Sequence, residues 1–192
     1  MEKSIKGSAT EKNLLKSFAG EAQARNRYSY AGSVARKEGF LQIAALFEET
    51  ADNEKEHAKR MFKFLEGGTV EITASYPTGK IGNTVENLEA AAAGEHEEHT
   101  LLYPGFSKTA REEGFPMVAS MYDAVCNAER QHEKRYRALL ENINQGKVFK
   151  KNAPVKWRCS NCGYIHEGPE APKVCAACNH DQKHFEILSE NW

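Results

Sequence analysis

The 192-residue sequence contains no apolar run approaching the about twenty residues that a membrane-spanning helix requires. It also lacks the charged-then-apolar opening of a secretory signal, so the expected compartment is the cytoplasm. Net charge is almost absent. The 26 basic and 27 acidic residues leave −1, which removes the electrostatic case for a nucleic acid or an anionic membrane as partner. Cysteine is scarce: of five, only Cys126 lies before residue 158. A disulfide framework would be spread along the chain, whereas two tight pairs in a short tail point to metal ligation. Cys126 stands alone at a helical position and reads as a small buried apolar residue. The six prolines and 14 glycines gather at a few junctions, which leaves long stretches free to be helical.

Four such stretches carry helical periodicity. The first runs from Thr10 to Glu38, with Ser8 and Glu11 spaced as a capping box and Gly39 as the stop. The second spans Leu41 to Glu66 and ends at Gly67-Gly68. A crossover containing Pro77, Gly79 and Gly82 follows. The third runs from Thr84 to Glu113, with Asn83 and Glu86 spaced as a second capping box. The fourth opens on Pro116, a favoured first-turn position, and reaches Asn144.

The two helix pairs read as copies. A-R-K-E-G-F from Ala35 returns as A-R-E-E-G-F from Ala110, and Glu54, His57 and Tyr28 return as Glu129, His132 and Tyr103 at the same offset of 75. Glu21 returns as Glu95 at an offset of only 74. One extra residue therefore lies between Glu95 and Tyr103, the stretch that also holds Glu98. An inserted residue inside a helix is commonly absorbed as a π-bulge, which predicts one here.

The strongest signal is where the acids fall. In the second helix Ile43, Phe47, Thr50, Glu54, His57, Met61 and Phe64 step by four and three, a core stripe interrupted by a carboxylate and an imidazole. The fourth repeats it with Val118, Tyr122, Val125, Glu129, His132, Tyr136 and Leu139. Glu21 lies on the stripe of the first helix, Glu95 on that of the third, and Glu98 one turn beyond. Any single acid reads most simply as a solvated side chain. Five at one level of four stripes cannot all be solvated, and unpaired buried carboxylates cost several kcal/mol or neutralise themselves. Two divalent ions, +4 against −5, nearly cancel the charge of Glu21, Glu54, Glu95, Glu98 and Glu129. One Glu from each of two helices plus Glu-x-x-His from each of the other two is the ligand set of ferritin-like di-iron bundles. Iron or manganese suits these ligands, and ligand type alone leaves zinc open.

In the tail, Cys159-x-x-Cys162 and Cys175-x-x-Cys178 form two knuckles able to hold one tetrahedral zinc or iron ion. A structural zinc ribbon is the plainer reading of the spacing alone. A tail this short holds little core, so a metal staple serves folding with either ion.

With both ligand sets placed, the chain resembles the rubrerythrin family over essentially its whole length. The resemblance is carried by G-E-A-Q-A-R-N-R-Y from Gly20, E-K-E-H-A-K-R from Glu54, G-E-H-E-E-H from Gly94, E-R-Q-H-E-K-R from Glu129 and W-R-C-S-N-C-G-Y-I-H-E-G from Trp157. The last string looks like a rubredoxin knuckle, which turns the tail metal from zinc to redox-active iron.

The implied fold is mainly α: a ferritin-like antiparallel four-helix bundle with one long crossover (1–147), a linker (148–153) and a small rubredoxin-like metal-knuckle β domain (154–192). The implied activity is reduction of hydrogen peroxide to water, as a defence against oxidative stress. Electrons are expected from an external donor, such as rubredoxin or its NAD(P)H-dependent reductase, in a homodimer.

The ligands implied for the di-iron site, oxo- and carboxylate-bridged when oxidised, are Glu21, Glu54, His57, Glu95, Glu98, Glu129 and His132. Those implied for the single iron are Cys159, Cys162, Cys175 and Cys178. The family exchanges the acid matching Glu98 with the histidine matching His57 as redox state changes, and Tyr28 and Tyr103 match tyrosines that hydrogen-bond ligand carboxylates. Two departures stand out: C-A-A-C-N replaces a knuckle with proline and glycine, and His99, read as an outer-face histidine, stands where tyrosine is expected. A ferritin-like ferroxidase or iron store shares the central ligands and is the alternative, although storage needs neither Glu98 nor the tail module.

Overall fold

The computed structural model describes residues 3–192. Helices α1 (Ala9–Lys37) and α2 (Leu41–Phe62) form one hairpin. The third bundle helix is built in three pieces: α3 (Thr84–Glu97), a π-helical turn (Glu98–Leu102) and α4 (Tyr103–Glu112). It packs against α5 (Pro116–Asn144) as the second hairpin. The predicted π-bulge is present, and it falls on the five residues that begin with Glu98.

The duplicated hexapeptide acts as a helix stop. Phe40 N–H donates to Ala35 O and Gly39 N–H to Arg36 O. Phe115 and Gly114 repeat this with Ala110 and Arg111. Gly39 and Gly114 take positive φ (87° and 80°), as this six-to-one, five-to-two closure requires. At the N-termini, Ser8 Oγ accepts from Glu11 N–H, while the Glu11 carboxylate reaches Gly7 N–H instead of closing back on Ser8. Asn83 and Glu86 form the full reciprocal box. Helix α2 stops four residues short of the expected Glu66. Its end tightens into i-to-i+3 bonds at Phe64 and Leu65, and the Glu66 side chain instead accepts from Ser4 Oγ and Ile5 N–H.

The bundle core is divided. One apolar cluster gathers Ala24, Tyr28, Phe47, Ala51, Ala92 and Tyr136; the other gathers Leu14, Met61, Tyr103, Tyr122, Val125 and Cys126. Along every helix the residues between the two clusters are the acids and histidines, so the polar layer sits at mid-bundle. Nearer the α1–α2 turn, Gly32 allows the two helices to approach: a Cβ on it would lie 3.2 Å from Ala44 O. The crossover (63–83) has no helix or strand.

The tail is a three-stranded antiparallel sheet of β1 (Lys150–Cys159), β2 (Ile165–Glu170) and β3 (Phe185–Ile187), in the order β2-β1-β3. Strand β1 begins inside the stretch expected to be linker, because Lys150 already pairs with Glu170. Trp157, Cys159, Ala171, Cys175 and Phe185 make its small core. Lys151 Nζ donates to Asn142 Oδ1 at the end of α5. No helix among the described residues is long and apolar enough to cross a membrane.

Candidate metal centres

Two ligand groups share the middle of the bundle. Glu21, Glu54, His57 and Glu129 bring one ligand atom each to within 4.8 Å of one another, and so do Glu54, Glu95, Glu129 and His132. Glu54 and Glu129 belong to both, as bridging carboxylates would. The outer pairs, Glu21 with His57 and Glu95 with His132, come from the first and second sequence copies respectively. Four of the expected acids and both histidines therefore converge. Glu98 belongs to neither group; it is partly buried on the wall of a neighbouring cavity.

The donor geometry fits cations better than hydrogen bonds. His132 Nδ1 lies 2.8 Å from Glu129 Oε2, 3.2 Å from Glu54 Oε1 and 3.6 Å from Glu95 Oε2, yet none of these contacts has hydrogen-bond geometry. Glu21 Oε2, Glu54 Oε1, Glu95 Oε2 and both Glu129 oxygens are buried without a hydrogen-bonding partner. Lone pairs that converge without donors between them are what metal ions satisfy. On the far side of the ring, His132 Nε2 lies 3.2 Å from Asn53 Oδ1. A hydrogen bond donated there leaves the Nδ1 lone pair free for a metal. His57 Nδ1 sits 2.9 Å from Glu54 and 3.0 Å from Glu129.

Outside the ligands, two tyrosines link the copies. Tyr28 Oη donates to Glu95 Oε1 at 2.6 Å, and Tyr103 Oη donates to Glu21 Oε1 at 2.5 Å. Each hydroxyl fixes the carboxylate of the other copy, while its second oxygen, Glu95 Oε2 or Glu21 Oε2, is buried without a hydrogen-bond partner.

The protonation balance shows the same charge excess. Burial, then the charges of Glu54, Glu98 and Glu129, push Glu21 well above the usual carboxylate range. Glu95 is pushed up to about 8, by burial first and then by Glu54 and Glu129. Burial works against the charged forms of His57 and His132, but the surrounding carboxylates push them up to about 10 and about 12. Burial also opposes ionisation of Glu54, yet these two imidazoles hold it below its ordinary value. Without metal, the site thus neutralises itself with protons.

In the tail the four cysteine sulfurs all lie within 4.8 Å of one another. Cys159 and Cys178 Sγ are 3.8 Å apart, and Cys162 and Cys175 Sγ are 3.7 Å apart. An ion bound at about 2.3 Å by four thiolates needs sulfur edges of about 3.8 Å. The residue after each knuckle turns through positive φ, Gly163 at 79° and Asn179 at 59°. Asparagine is the side chain that best tolerates this region after glycine, so C-A-A-C-N keeps the knuckle turn.

Sequence reasoning missed Asn53, Gln23, Arg27 and Glu133. Each lies on a helix flank where a polar residue is ordinary, so no periodicity marks it. His99 is not on an outer face. Its side chain is largely buried, and Nε2 lies 2.6 Å from Glu133 Oε2 on α5.

Together, a ferritin-like bundle with paired carboxylate–histidine ligand groups and an appended four-cysteine module defines a di-iron protein with a second, rubredoxin-like metal centre. Residues 12–140 match the Rubrerythrin family, and residues 157–186 match the family described as "Rubrerythrin, rubredoxin-like domain". The chain belongs to the rubrerythrin family. It is 56% identical to the rubrerythrin of Nitratidesulfovibrio vulgaris over 99% of this chain and 100% of that one. It is also 56% identical to the rubrerythrin of Porphyromonas gingivalis, over 100% and 96%. Among solved structures, fully reduced, all-ferrous nigerythrin superposes with a TM-score of 0.63 at 30% identity, covering 96% of this chain and 91% of that one.

Proposed function

We propose that this chain is a non-haem di-iron peroxidase that reduces hydrogen peroxide to water, with electrons relayed from the four-cysteine iron to the bundle site. The observation that supports this best is the position of Glu98. It is a carboxyl outside both ligand groups, beside them, on a cavity of about 350 Å³.

Reduction of peroxide consumes two electrons and two protons and releases two waters. When bound, two ferrous ions supply those electrons and act as Lewis acids toward the oxygens. Glu21, Glu54, His57, Glu95, Glu129 and His132 would hold the ions, with His57 in the ligand group and Glu98 outside it. Burial raises Glu98 well above the usual carboxylate range; Glu95, Glu129 and Glu54 add to this, and Arg27 opposes it. The cations would cancel much of the neighbours' share, while the burial share remains, so the Glu98 carboxyl can carry a proton to the reacting oxygen. The same cavity is lined by Gln23, Arg27, Tyr76 and Tyr103. Gln23 Oε1 and Arg27 Nε are buried there without protein partners, one acceptor and one donor for a small hydrogen-bonding molecule. Tyr28 and Tyr103 hold Glu95 and Glu21 in place.

Cys159, Cys162, Cys175 and Cys178 would hold the tail iron, which would supply one-electron chemistry for reloading the bundle site. We assign its supply to an external donor such as rubredoxin or its NAD(P)H-dependent reductase. We also assign a cytoplasmic homodimer, with the bundle (1–147) and the tail (expected at 154–192, its sheet beginning at Lys150) as separate units.

The test is anaerobic. The fully reduced, iron-loaded protein is mixed rapidly with peroxide or with oxygen, and the colour of the tail site is followed. Recolouring much faster with peroxide is the expected result. Preference for oxygen, with continuing uptake of ferrous iron, would replace this reading with a ferroxidase.

A further inference from the structure

A third group of metal-ligating side chains lies one step around the helices from the bundle site. His96, His99 and Glu133 each follow a residue already described: Glu95, Glu98 and His132. One residue along a helix turns the side chain by about 100°. The three therefore leave the core together and meet on the flank where the third helix packs against α5. His99 Nε2 is 2.6 Å from Glu133 Oε2, and His96 Nδ1 is 3.1 Å from Glu133 Oε1. One donor atom from each lies within 4.8 Å of the others.

We infer that His96, His99 and Glu133 form a third metal site, for a divalent transition ion such as zinc. Two imidazoles and a carboxylate are ligands that zinc favours, with further positions left for water. Two donors are held in advance: the His99 and Glu133 side chains are 8% and 13% exposed, pinned between helices. His96, at 55%, opens the site to solvent and gives an ion its way in.

The competing arrangement is a hydrogen-bonded clasp, in which both rings donate N–H to Glu133 and no ion binds. Arg137 takes part in it, since its Nε lies 2.7 Å from Glu133 Oε1. Metal binding needs the lone pair of each of these nitrogens, so each ring must carry its hydrogen on its other nitrogen, and the ion must share or displace that guanidinium. Removal of Arg137 therefore separates the two: a metal site tightens, whereas a clasp only loses a partner. The bound ion would tie the π-helical turn to α5 one residue from Glu98.

The experiment is a calorimetric titration of the iron-loaded protein with zinc, with iron and zinc contents measured afterwards. The expected result is one further equivalent of zinc with no loss of iron. His96→Gln and His99→Gln should each weaken uptake about tenfold or more, and Arg137→Gln should strengthen it. His96 is exposed enough that its variant tests the site without risk to folding. No zinc uptake by the native protein would overturn the inference. So would uptake that displaces iron, or uptake that survives in His96→Gln and His99→Gln.

Discussion

Removing the metals should reverse how the stability of the bundle depends on pH. In the metal-free protein Glu95 is pushed up to about 8 by burial first, then by Glu54 and Glu129, from an ordinary value of 4.5. Between those two values the folded chain keeps a proton that the unfolded chain has released. Each such proton makes stability fall by about 1.4 kcal/mol per pH unit as pH rises. Glu21 and Glu98, raised chiefly by burial, act in the same direction. His57 is pushed up to about 10 by Glu129 and Glu54 against burial, from 6.5. Its contribution is complete below 6.5 and is lost as pH rises through 10. All these groups agree in sign, so the metal-free bundle should lose about 3 kcal/mol or more between about pH 6 and about pH 8. Metal ions bind only once those protons leave, so the iron-loaded bundle should hold or gain stability over the same range. Urea unfolding followed by far-UV circular dichroism, on loaded and chelator-treated protein at both pH values, measures the two slopes. A metal-free midpoint that rises with pH, or equal slopes in both forms, would refute the charge argument on which the metal assignment rests.

Tyr28→Phe removes the donor to a buried carboxylate and should cost about 1–3 kcal/mol in chemical unfolding of the loaded protein, with metal content unchanged. Glu98→Gln keeps the shape but not the acid. Single-turnover kinetics should show peroxide reduction slowed about a hundredfold, with both metal sites still filled, and unchanged turnover would remove the proton role. Cys178→Ser removes one of the four sulfurs. Metal analysis should show the tail ion lost and the bundle ions kept, and steady-state reduction driven by an external donor should stop while a pre-reduced bundle still reacts once with peroxide.

Much of this was legible because the site violates the pattern around it. Glu54, His57, Glu129 and His132 occupy stripe positions where leucine would serve the core, and helical spacing alone placed them at one level. The hexapeptide copies gave both helix stops, Gly39 and Gly114, and the offset of 74 instead of 75 located the π turn. The end of α2 was not legible, because the partners of Glu66, Ser4 and Ile5, lie some sixty positions away in sequence. The true surroundings of His99 were hidden for a related reason. A helical wheel reports which face a residue leaves by, but not that α5 brings Glu133 to meet it.

The inserted residue also explains why the two halves of the site are not equivalent. Had the copies stayed in register, the bundle would hold two matched halves: Glu21, Glu54 and His57 facing Glu95, Glu129 and His132. The extra residue is absorbed at Glu98–Leu102, between Glu95 and Tyr103, and so leaves both of those side chains pointing inward while turning Glu98 toward the cavity. No acid of the first copy answers to it, since offsets of 74 and 75 lead to Ala24 and Gln23. A fifth acid therefore stands beside one side of a nearly symmetric site, next to the cavity with the unpartnered Gln23 and Arg27 atoms. A site that only stored or passed on iron would have no use for this asymmetry. One that must deliver protons to a small oxidant from one side does, and a single inserted residue is sufficient to create it.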